Sequence, residues 1–207
     1  MAPDYQALCI NSTPKIMKSL TRRLIFVSVA LMLSAYFLPL WHILLDAPQY
    51  PEGLEMKIWL NGLSGNIGQI NGLNHYIGMK LISVDDFKEF KILPYVFGLL
   101  LLIGFTSAII KSRKLLWTWF IGLCLFGIIG FSDFYKWEYN YGHNLNPHAA
   151  IKVEGMNYQP PLFGYKQLLN FTAGSLPDTG GILVGLGGLL VACALFYKPR
   201  LSPNKSK

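Results

Sequence analysis

Cysteine is scarce in this chain and charge is sparse. Its three cysteines, Cys9, Cys124 and Cys193, form no CxxC or CxxCH pair, which excludes the zinc, dithiol and covalent-haem sites built on those motifs. They read as packing residues, and none lies in the large loops where an oxidising compartment would form a disulfide. Charged residues are 14% of the chain, against about 25% in soluble proteins. A nucleophile elbow, HExxH, P-loop and dinucleotide fingerprint are all missing, so no motif names a hydrolase or transferase and the chain reads as a non-enzyme.

Long apolar runs, by contrast, are plentiful. They occupy 24–45, 94–110, 115–131 and roughly 181–197. A hydrocarbon core about 30 Å thick takes roughly 17–25 helical residues, so each run is long enough once flanking aromatics are counted. The expected fold is an all-α membrane protein with four transmembrane helices. Acids and bases are absent from 97–110, 115–131 and 181–196. Transporters and pumps place such groups at membrane depth, which argues against transport. The first run follows Arg22 and Arg23 as an export signal would, but it is longer than the roughly 7–15 residues of a signal core and ends on no small-x-small site. It reads as an uncleaved anchor.

Sidedness follows from the basic residues, because cytoplasmic loops retain Lys and Arg. The segment before the first run, the turn at 111–114 and the tail after the fourth hold eleven cations against one acid, a net +10. Opposite them are seven cations against ten acids, a net −3. Both termini are therefore expected in the cytoplasm. The overall charge of +7 reflects topology and affinity for anionic lipid, with no nucleic-acid partner implied. Three parts result: a cytoplasmic segment 1–23, a membrane domain 24–197 with outer loops 46–91 and 132–180, and a basic tail 198–207.

The two outer loops make up nearly half the chain and are rich in Trp, Tyr and Phe, so they are expected to fold into a cap rather than stay disordered. Ser83, Asp85 and Asp86 predict a brief acidic helix over 84–91. The third helix is expected to continue through 132–139, and 163–171 to form a short interfacial helix. In the last run Gly181 and Gly185 have the spacing of a close helix contact, within the chain or with another subunit.

All four histidines fall on the outer side: His42, His75, His143 and His148. With Met79 and Met156 they give a His/Met inventory suited to copper, the candidate cofactor, and the candidate ligands are His75, Met79, His143, His148 and Met156. His75 and Met79 are spaced to share one face of a helical turn. Asp133 and Glu138, at the outer end of the third helix, could bind a metal, relay protons or pair with Lys136. An alternative is a quinol pocket among the outer aromatics, with either acid as proton acceptor, in a subunit passing electrons outward.

The fragments GLNHYIGM at 72–79, DFYKWEY at 133–139, YGHNLNP at 141–147 and YQPPL at 158–162 resemble the NosB family of small membrane proteins. That family accompanies the clade II type of nitrous oxide reductase. The resemblance implies an accessory role beside a periplasmic copper enzyme that reduces nitrous oxide, with the copper belonging to the reductase. The residues of a functional cap would then be Asn74, His75, Tyr76, Asp133, Trp137, Glu138, His143, Asn144, Pro160 and Pro161.

Overall fold

A computed structural model describes residues 19–151, 155 and 157–196. Four of its helices are long and apolar enough to cross a membrane. They are α1 (Ser19–Leu33, prolonged by a 3-10 turn Ser34–Tyr36), α3 (Leu93–Ile110), α4 (Arg113–His143) and α5 (Thr179–Phe196). Leu99, Leu102, Leu125, Ile128 and Leu189 are exposed on them, as a lipid-facing surface requires. Cys124 and Cys193 are exposed as well, so they are surface thiols of the helices and not core packing.

The helix bundle packs around an apolar core that includes Ile25, Met32, Phe97, Leu116, Trp119 and Val191, with a few polar contacts between helices. The Ser28 hydroxyl donates to the Gly187 carbonyl at 2.7 Å, joining α1 to α5. At the tight α3–α4 turn Ser112 caps α4 by accepting the Leu115 N–H at 3.3 Å, and Lys111 adopts a left-handed conformation (φ 59°).

The expectation of an all-α fold is wrong. The segments between helices build a five-stranded antiparallel sheet, so the protein is mixed α/β. Its strands are β1 (Trp41–Ala47), β2 (Tyr50–Trp59), β3 (Gly62–Gly65), β4 (Gly164–Leu168) and β5 (Phe171–Pro177), in the order β3-β2-β1-β5-β4. The first apolar run is therefore two elements. Its helix ends before Pro39, whose ring disfavours helix in the residue ahead of it, and the remaining apolar residues form the central strand. A short buried strand and the end of a span look alike as apolar runs. The interfacial helix expected at 163–171 is instead the β4–β5 hairpin. The acidic helix at 84–91 is two 3-10 turns, Val84–Asp86 and Lys88–Lys91, with Ser83 capping the first through the Asp85 N–H.

The two large loops thus interlock as a single cap through β1, at the end of the first apolar run, which pairs with β2 of the first loop on one side and β5 of the second on the other. Residues Trp41, Ile43 and Leu45 stand opposite Ile58, Met56 and Leu54 and share one face of the sheet. Against that face lie Ile67, Ile70 and Leu73 of α2 (Ile67–Ile77) and Phe134, Trp137 and Tyr141 of α4. Helix α4 runs unbroken past the apolar stretch to His143, so its last dozen residues wall the cap.

The β4–β5 turn carries a local conflict. Leu169 holds φ 54°, a left-handed conformation that costs a non-glycine residue roughly 1–2 kcal/mol. Leu169→Asn, which tolerates that region, is expected to raise the thermal unfolding temperature by a few degrees in detergent; a lower value would contradict the assignment of strain.

Candidate functional site

The expected cap residues divide between two places. Asn74, Trp137, Glu138, Pro160 and Met79 line one internal cavity of about 50 Å³ under the sheet, with Ile43, Met56 and Tyr141 among its walls. His75, Met79 and Asn144 line an open cleft at the surface, bounded by Lys80 and Asn146. Met79 belongs to both.

The cavity owes its shape to a close approach. The Tyr158 N–H donates to the Gly142 carbonyl at 3.0 Å, and a Cβ at Gly142 would lie 2.4 Å from Gln159 Cα. The absence of that Cβ lets the segment around Tyr158 lie directly on α4 and close the cavity wall. Pro160 and Pro161, both half-buried, continue this segment.

Glu138 dominates the cavity. It is fully buried, and neither carboxylate oxygen has a hydrogen-bond partner among the described residues. The Trp137 Nε1 and Tyr158 hydroxyl are also buried and unpartnered. Burial pushes the Glu138 carboxyl up to about 8, so it is mostly protonated at neutral pH. A neutral carboxyl both donates and accepts a hydrogen bond. Tyr141, beside it, is likewise raised chiefly by burial. A cavity of about 150 Å³ is what admits benzene, whereas a water needs roughly 10–15 Å³. This one is therefore sized for a few water-sized molecules, and a quinol ring does not enter it in this conformation.

The other expected residues are more peripheral. Asp133 lies on the exposed outer end of α4, with its carboxyl raised by partial burial and then by Glu89, against the lowering effect of Lys136. His143 stacks on Tyr139 at 3.9 Å, and its Nδ1–H donates to the Tyr139 carbonyl at 3.0 Å. The exposed His148 has its backbone N–H bound by the Asn146 side chain, in a turn. His75 and Tyr76 are exposed on α2. Met156 lies outside the described residues.

Among those residues, the group of His, Cys, Asp and Glu donors close enough to share an ion is His42, Glu55 and Asp178. It includes none of the histidines expected to bind copper. Burial acts to raise the Asp178 carboxyl, but the hydrogen bond from Thr179, and then the facing His42 imidazole, outweigh it and hold it below the ordinary value. Sequence reading missed this group because strand pairing, not spacing, brings it together: Glu55 stands opposite Leu44 and Asp178 follows the strand that pairs with β1.

The fold and these sites define a bundle of four helices long and apolar enough to cross a membrane, carrying a mixed α/β cap. Compared with known proteins, the chain matches no protein-family model and no curated sequence.

Proposed function

We propose that this chain is a non-enzymatic accessory protein of the bacterial inner membrane, with both termini cytoplasmic, whose periplasmic cap docks or assists a copper enzyme. The nitrous oxide reductase implied by the resemblance to the NosB family is the proposed partner. The observation that carries this reading is the continuity of α4, which runs from an apolar span without ionisable groups into the wall of the cap. Such a helix holds the cap at a fixed height and angle above the membrane, as an anchoring or assembly platform requires. The charge difference between the two sides supports the orientation. Exposed aromatics on the cap, among them Tyr76, Tyr139, Phe163 and Tyr165, supply contact area suited to a protein partner.

The test is cross-linking in intact cells. A photoreactive residue placed at Tyr76, Asn144 or Phe163 is expected to give an adduct with a periplasmic copper enzyme, identified by mass spectrometry. If all three positions yield no adduct while the variants accumulate at the normal level, the docking reading falls.

A further inference from the structure

One face of the sheet packs on α2 and α4; the opposite face carries a cluster of a different character. His42 and Leu44 point there from β1, Glu55 of β2 stands across from Leu44, and Asp178 joins them from the end of β5. Their ligand atoms lie within 4.8 Å of one another. We propose that His42, Glu55 and Asp178 form a divalent-cation site of the zinc class, with a fourth position open to water or to a group from another molecule. This site shares no residue with the candidate copper ligands His75, Met79, His143, His148 and Met156, and does not rest on the docking role.

Distance is the first argument. His42 Nδ1 and Asp178 Oδ2 are 3.4 Å apart, longer than a good direct hydrogen bond. Two ligands bonded at about 2.0–2.1 Å to one tetrahedral ion stand roughly 3.4 Å apart. The pair therefore already has the spacing of ligands, and only the Glu55 side chain must swing inward.

Orientation is the second. The Thr179 N–H donates to Asp178 Oδ1 at the start of α5, which leaves Oδ2 turned toward His42. Hydrogen-bonded carboxylates of this kind are what hold ligands in place around metals. The Glu55 backbone is fixed on both sides, its N–H donating to Asn66 Oδ1 at 3.0 Å and its carbonyl accepting from the Asn66 N–H at 2.7 Å.

Donor chemistry and charge complete the case. One imidazole and two carboxylates suit a borderline or hard divalent ion better than the soft Cu(I) favoured by thioethers. Two carboxylates with a neutral imidazole balance a 2+ ion. Lys57 Nζ, 3.4 Å from Glu55 Oε1, is the resident competitor, and its long partly exposed side chain can turn to water when an ion enters.

The experiment titrates the full chain in detergent, stripped with a chelator, with Zn²⁺ alone by calorimetry and with Co²⁺ alone by visible absorption. One ion per chain is expected, with the intense absorption of tetrahedral Co²⁺. His42→Gln and Asp178→Asn should each weaken Zn²⁺ binding roughly tenfold or more, and Asn at 178 still caps α5. Lys57→Met removes no ligand and should tighten binding. The proposal is overturned if the wild type binds no zinc, if His42→Gln binds as the wild type does, or if binding is lost only in His75→Ala. Should His42→Gln fail to fold, Lys57→Met decides alone: unchanged or weaker binding there overturns the site.

Discussion

Raising the pH from about 5 to 9 is expected to destabilise the protein, and Glu138→Gln is expected to abolish most of that dependence. In the folded state burial holds the Glu138 carboxyl near 8, whereas an unfolded chain releases the proton near 4.5. Below 4.5 both states keep it, so the group contributes no pH dependence. Between 4.5 and 8 the unfolded state loses its proton first, and stability falls as pH rises. Above 8 both are ionised, and the folded state carries a buried charge without a partner. A shift of this size is worth about 3–5 kcal/mol at the alkaline end. Glutamine keeps the shape and never ionises, so the variant should gain that amount at pH 9 and nothing at pH 4. Denaturant midpoints in detergent across this range test it. A wild-type midpoint flat between pH 5 and 9 would show that Glu138 ionises freely.

The second large effect concerns two glycines four residues apart. A Cβ at Gly181 would lie 2.1 Å from the Leu40 carbonyl oxygen, a backbone atom that cannot move aside, whereas a Cβ at Gly185 meets nothing within 4 Å. Gly181→Ala should therefore cost about 1–3 kcal/mol by overpacking. It should also loosen the junction where β1 begins, since the Asp178 N–H donates to Leu40 O there. Gly185→Ala should instead be neutral or stabilise by up to about 1 kcal/mol, because alanine favours helix. Equal losses in thermal unfolding at the two positions would mean that Gly185 also meets a neighbour, such as a second subunit.

This pair illustrates what pattern reading can reach. The small-residue spacing was visible, but only the fold shows that Gly181 is used against the chain's own backbone. The spans at 94–110, 115–131 and 181–197 were legible because helices apolar on every face need no knowledge of their neighbours. The sheet was not legible, because β1 is buried on one face and flanked by strands on both sides, so its polar alternation is too weak to break an apolar run. Strand pairing over more than a hundred residues, as between Trp41 and Pro177, leaves no local trace. Glu138 stood out as an acid among aromatics, yet its burial depends on the sheet that the sequence concealed. His42 falls within the apolar run 24–45 that reads as a span, and is in fact a strand residue whose partners are set by register.

Mechanically, α4 is a lever. Its 31 residues measure about 46 Å at 1.5 Å per residue, pivoting at the short turn that joins it to α3. Over that length a tilt of about 5° sweeps the far end through about 4 Å. A load on the cap would thus travel along one continuous helix to the turn at its other end.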